Sequence, residues 1–94
     1  MELIIDGAKI MSEEDFHLIV AEGLDLPSWY GKNLDALWDA LTGMAERPLT
    51  ITWMHADQSK ERLPRYEKII ALLRDVEAQD KQFKRSEFFA LEIR

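Results

Sequence analysis

Leu26-Pro27-Ser28-Trp29-Tyr30-Gly31-Lys32-Asn33-Leu34-Asp35-Ala36-Leu37-Trp38-Asp39-Ala40-Leu41-Thr42-Gly43 reads as a loop running into a helix. Asn33 can offer its side-chain oxygen as an N-cap, and Leu34, Leu37 and Leu41 return at helical spacing as one apolar stripe. Gly43 suits a left-handed C-terminal position and predicts the stop there. At about 100° per residue from Leu34, the stripe centres near 0°, Trp38 falls near 40°, Thr42 near 80°, Asp35 near 100° and Asp39 near 140°. The two acids therefore form a stripe beside the core face, with Trp38 at the seam. Like charges one turn apart cost a helix only roughly 0.2–0.5 kcal/mol, so a plain solvated face could also carry them. What favours a binding face is the preceding loop, because a chain of 94 residues can hardly bury both Trp29 and Tyr30. Trp and Tyr are frequent anchors at interface centres, and an adjoining acid pair complements a basic partner. The competing reading has these two rings closing one end of the core.

Outward from this stretch the remaining elements follow the chain breakers. Leu3-Ile4-Ile5 before Asp6-Gly7 predicts a strand over 2–6. Ser12 followed by Asp15, with Phe16, Ile19 and Val20 at helical spacing, predicts a helix over 13–23 ended by Gly23. After Pro48, Leu49-Thr50-Ile51-Thr52-Trp53 has strand composition, with Trp53 read as core. Residues 57–63 fit a short helical turn. Pro64 suits the first turn of a helix whose core face is Tyr66, Ile69, Leu73 and Val76, widened by Ile70 and Leu72. Phe88-Phe89-Ala90-Leu91-Glu92-Ile93 reads as a third strand. Strands separated by helices imply an α/β fold with a small parallel sheet, and the length fits one domain over 1–94.

The charge balance narrows the function. The net charge is −6, the pI is near 4.8 and there is no cysteine. Phosphate-backbone binding is disfavoured, and neither a disulfide framework nor a thiolate nucleophile is possible. Residues 6–46 carry nine acids against Lys9 and Lys32, a net of −7, whereas residues 47–94 carry eight acids against ten bases. One half is an acidic body. No apolar run approaches the ~18 residues of a membrane span, and a cytoplasmic location is expected. The two histidines, His17 and His55, are far apart and have no ligand-spaced partners, so both read as structural or surface residues. P-loop, GxGxxG and GxSxG motifs are absent, and the chain is not expected to be an enzyme or to need a cofactor. Asp35 and Asp39 could in principle ligate magnesium in a phosphodiesterase, but no third acid or phosphate clamp accompanies them.

The quoted stretch resembles the barstar family, intracellular inhibitors of the bacterial ribonuclease barnase. The Leu-Pro, the aromatic pair, Gly-x-Asn-Leu-Asp-Ala-Leu-Trp-Asp and Leu-Thr-Gly all match the family pattern. Pro48-Leu49, Trp53 and Gln58-Ser59-Lys60 extend the likeness weakly. The resemblance implies three parallel strands with helices against them, and a helix and loop that plug a nuclease active site. Asp39 would imitate the substrate phosphate and Asp35 would pair with neighbouring bases. Trp29 would stack over the catalytic histidine, and Gly31 would allow close backbone approach. The expected contact set is Trp29, Tyr30, Gly31, Asn33, Asp35, Trp38, Asp39, Thr42 and Met44, with Asp75 adding an acid from the later helix. Met44 stands where the family has tryptophan, Trp29 where it has tyrosine, and Gln79 where a second acid is expected. Ala40 and the lack of cysteine remove the family's thiols, and the region from Lys84 to Arg94 is longer and more charged than its usual end. The expected role is that of a ribonuclease inhibitor or immunity protein whose partner is a small basic microbial ribonuclease, bound one to one, with no direct binding of nucleic acid or membrane. The alternative is a barstar-fold interaction module for a non-nuclease basic partner.

Overall fold

Ser12 and Asn33 act as caps. In the computed structural model, which describes all of residues 1–94, the Ser12 hydroxyl accepts from Asp15 N–H at 3.2 Å and the Asn33 side-chain oxygen from Ala36 N–H at 2.8 Å. They start α1 (Glu13–Gly23) and α2 (Leu34–Asp39). The expected stop at Gly43 is not where α2 ends. The helix widens into a π-helical turn over Ala40–Met44, closed by Ala45 N–H to Ala40 O at 2.8 Å, and no glycine has a positive φ. Two contacts account for this. Thr42 Oγ1 donates back to Trp38 O at 2.7 Å, a bond that competes with regular helical geometry. Arg47 then donates to Leu41 O at 2.8 Å and Ala45 O at 3.0 Å, satisfying the last carbonyls without a glycine cap.

Strands β1 (Glu2–Asp6), β2 (Leu49–Met54) and β3 (Phe89–Ile93) form one parallel sheet in the order β1-β2-β3, with Ile4 beside Thr52 and Thr52 beside Glu92. The expected turn after β2 is a full short helix, α3 (Ala56–Arg62). Helix α4 begins at Tyr66, two residues after Pro64, and runs to Gln82. The architecture is α/β, as the segmentation implies.

Strand alternation sends Leu3, Ile5, Ile51, Trp53, Phe89 and Leu91 to the inner face, where they meet Phe16, Val20, Leu37, Leu41, Ile69, Leu73 and Val76. Trp53 is the hub. It stacks on Phe16 with centroids 5.1 Å apart, meets Tyr66 edge-on at 5.5 Å, and donates Nε1–H to the buried Ser59 hydroxyl at 3.0 Å. The outer edge of β3 is closed by side chains of α4. Asp80 accepts from Phe89 N–H at 2.8 Å, Glu77 from Leu91 N–H at 2.9 Å, and Arg74 donates to Leu91 O at 3.1 Å. Such capping blocks strand addition at that edge. No helix is long and apolar enough to cross a membrane.

Candidate functional site

The loop between α1 and α2 is shaped by its own backbone. Leu26 N–H reaches Ala21 O at 2.9 Å and Tyr30 N–H reaches Pro27 O at 3.0 Å, closing a tight turn. Asp25 and Lys32 take up the change of direction with φ of 51° and 53°. Asn33 Nδ2 donates to Gly31 O at 3.2 Å, so the residue that starts α2 also ties the loop to it. A Cβ on Gly31 would lie 3.2 Å from Asn33 Nδ2 and 3.3 Å from Ala36 Cβ. Bare backbone fits there, and it leaves the surface open to close approach.

The turn separates the two aromatics. Trp29 is 73% exposed and Tyr30 only 5%. The two rings are not both buried: Trp29 stands out, while Tyr30 closes against the core instead of facing a partner, and its phenol reaches His17 Nδ1 on α1 at 2.7 Å. Burial pushes the Tyr30 hydroxyl up to about 12, so it stays protonated, and because the other ring nitrogen of His17 faces the Glu13 carboxylate the hydroxyl is the donor. His17 Nδ1 is then the acceptor and Nε2 carries the proton, 3.8 Å from Glu13 Oε2. Glu13 is held in turn by Arg65, whose Nε–H donates at 3.0 Å. Tyr30 thus fastens the loop to α1 from below, while Trp29 stands above it.

This buried pair makes the fold acid-sensitive. Burial lowers the His17 pKa from its ordinary 6.5, outweighing the opposing charge of Glu13, and Arg65 lowers it further. The folded chain binds the His17 proton less readily than the unfolded chain. The contribution is complete above pH 6.5 and declines as pH falls through that value towards the lower folded pKa. Urea midpoints at pH 7.5 and pH 5 are expected to fall with acid in the wild type and to converge in His17→Gln. Tyr30→Phe, which strands Nδ1, is expected to cost about 1–3 kcal/mol at neutral pH by urea denaturation.

Leu37 on α2 and Ala40 and Leu41 in the π-turn are buried, Leu34 and Trp38 pack against the core at its edge, and Asp35 and Asp39 are exposed. Neither acid has an ion pair or a side-chain hydrogen bond within the chain. Met44 is exposed at the end of the π-turn, and Asp75 is exposed on α4, which packs against α2. Thr42 is half-buried, with its hydroxyl turned to Trp38. A shallow groove of about 300 Å³ beside Asp35 is lined by Asn33, Leu34, Asp35, Arg65 and Lys68, bringing the base that precedes α4 and one on its first turn to the first turn of α2. Sequence reading did not place these bases at Asp35. Of the nine acids in residues 6–46, only Asp6 and Glu13 have ionic partners. No cluster of three or more His, Cys, Asp or Glu side chains could hold a metal ion.

The family model described as Barstar (barnase inhibitor) covers residues 1–92. This chain belongs to the barstar family. It is also 42% identical over 65 residues to the Bacillus subtilis (strain 168) protein named "Putative ribonuclease inhibitor YrdF", covering 69% of this chain and 71% of that one. Barstar-family proteins are inhibitors and not enzymes.

Proposed function

We propose that this chain inhibits a small basic ribonuclease of the barnase type in the cytoplasm, one to one, by seating α2 and the loop before it in the enzyme's active site. The observation that carries this reading is the pair Asp35 and Asp39, exposed on the helix that follows the Trp29 loop and engaged in no ion pair of their own. A ribonuclease site is built to hold a polyanion, and a rigid helix presents carboxylates to it that cannot be cleaved. Asp39 takes the place of the substrate phosphate, Asp35 meets the neighbouring bases, Trp29 lies flat on the enzyme, and Gly31 lets the backbone come close. Asn33, Trp38, Thr42 and Tyr30 hold these groups in place, while Met44 and Asp75 widen the footprint.

Titration of the chain into barnase-type ribonucleases tests this. Cleavage of RNA is expected to fall linearly to zero at one equivalent for at least one enzyme. Full cleavage at tenfold excess for every enzyme tried would overturn the reading. Asp35→Ala is expected to lower affinity and to flatten the salt dependence of the association rate, since exposed charges steer encounter. The control is Glu14→Ala, a solvated acid on α1 without an ionic partner. If it matches Asp35→Ala, bulk charge and not the face governs binding. Glu13 is unsuitable as that control because it holds Arg65.

A further inference from the structure

A cavity of about 360 Å³ opens between residues 24–27, which lead into the Trp29 loop, and residues 44–46, where the π-turn after α2 ends. Leu24, Leu26 and Met44 give it an apolar wall. Asp25 and Glu46 add carboxylates, both exposed and neither in an ion pair or a side-chain hydrogen bond. Met1 also borders the cavity, and its ammonium is already taken up by Pro48 O at 2.9 Å. Both walls are fixed before any partner arrives. Leu26 N–H is held by Ala21 O at 2.9 Å, Ala45 N–H by Ala40 O at 2.8 Å, and Ala45 O by Arg47 at 3.0 Å. Covalent geometry places the cavity against the acidic face. Pro27 is two residues from Trp29, so their Cα atoms are at most about 7 Å apart. Met44 follows Asp39 by five residues of continuous helical turn, roughly 8 Å along the axis. An interface of about 800 Å² per partner covers both distances.

The lining selects the occupant. An apolar wall beside two unpaired carboxylates suits a side chain with an aliphatic stem and a cationic head, which describes lysine and arginine. A carboxylate or a phosphate would meet like charge there, and no group of three acids is present to hold a bare metal ion. We propose that this cavity is a specificity pocket of the same interface. It takes one lysine or arginine side chain of the ribonuclease, with the stem along Leu24, Leu26 and Met44 and the head at the carboxylates of Asp25 and Glu46. The proposal rests on the inhibitor reading above and adds one contact to it. A basic partner supplies such side chains by its nature. The pocket then sorts ribonucleases that share a cationic cleft, because one without a base at this place leaves Asp25 and Glu46 covered and unpaired.

The experiment uses the enzyme that the wild type inhibits most tightly in a panel of barnase-type ribonucleases. Asp25→Asn combined with Glu46→Gln keeps the shape of the pocket and removes its charge, and asparagine tolerates the φ of 51° at position 25. Unchanged melting temperature verifies the fold. The pair of changes is expected to weaken binding about tenfold or more. The control, Glu14→Gln with Asp57→Asn, removes the same charge from two exposed acids without ionic partners on α1 and α3, and should lose less than about threefold. Alanine is then placed at each lysine and arginine on the surface of the enzyme. At one of them the loss should be about tenfold smaller against the pocket variant than against the wild type, the sign of a direct contact. Full affinity in the pocket variant, a loss matched by the control, or no enzyme base that couples to the pocket overturns the proposal, whether the cavity then stays empty or takes an apolar side chain. Asp39→Ala in the same assay reports separately on the inhibitor reading. If it weakens binding while the pocket variant does not, that reading stands and only the pocket falls. If the wild type inhibits no enzyme of the panel, both fall.

Discussion

Replacing Asp39 by alanine is expected to weaken inhibition of the target ribonuclease by roughly thirty-fold to several thousand-fold, the largest loss of any single change on the face. In the free chain Asp39 is exposed and has no partner, so its removal costs the fold little and relieves a like-charge neighbour one turn away. In the complex it would be desolvated among the enzyme's bases. Truncating one member of such a pair costs about 2–5 kcal/mol, much of it the penalty of leaving the other charges buried and unpaired. That range draws in part on the barnase–barstar complex itself and is carried over to this family member. The loss should lie in the dissociation rate, with the melting temperature of the free variant unchanged or slightly raised. A change below threefold, or an equal loss in Glu14→Ala, sinks the assignment.

Asp39 should exceed Asp35 for a reason visible in the free chain. Arg65 and Lys68 line the groove at Asp35, so an incoming cationic surface meets bases of this chain there, whereas Asp39 lies outside that groove. The face is also preorganised. Asn33 fixes the start of α2, Tyr30 and His17 fix the loop, and the carboxylates are left without internal partners that would have to be broken on binding. The price is a helix bearing uncompensated like charges, which the packing of Leu37 and Leu41 into the core can carry.

How far the sequence led depended on the range of each interaction. Capping by Ser12 and Asn33, the apolar stripe of α2 and the strand composition of 49–53 act within a few residues, and all appear as read. Gly43 misled because a glycine after a helix is only permissive, and the end is set by Thr42 and by Arg47. Tyr30 could not be assigned from spacing, because adjacent loop residues have no period and its burial depends on His17, thirteen positions away. Arg65 and Lys68 reach Asp35 only because α4 packs on α2, a contact that no local pattern announces. Arg47 and Asp80, 33 positions apart, each counted only as a charge in the sequence.

Asp80→Ala is expected to be the most destabilising charge removal in the molecule, at about 3–5 kcal/mol, against the roughly 5–15 kcal/mol that holds a small domain together. Asp80 is 1% exposed, accepts from Arg47 Nε at 2.6 Å and Nη2 at 3.3 Å, and takes Phe89 N–H at 2.8 Å. Its loss strands a buried guanidinium and a strand-edge amide together. At about 4–8 °C per kcal/mol for a chain of this size, the melting temperature should drop by 12 °C or more. Burial by itself would raise the carboxyl pKa, but the hydrogen bonds from Arg47 and Phe89 N–H, with the charges of Arg47 and Arg85, hold it below its ordinary 3.8. The folded chain therefore binds this proton less readily, so the pair's contribution is complete above pH 3.8 and disappears as pH falls below it through the lower folded value. Removing both partners should cost less than removing either. Arg47→Met with Asp80→Leu leaves no orphaned charge, and a double-mutant cycle should return a favourable coupling. A single Asp80→Ala variant melting within 3 °C of wild type would mean that water enters and solvates Arg47. In that case the π-turn after α2 is held by Arg47 through the carbonyls of Leu41 and Ala45 alone, and the acidic face does not depend on α4 for its position.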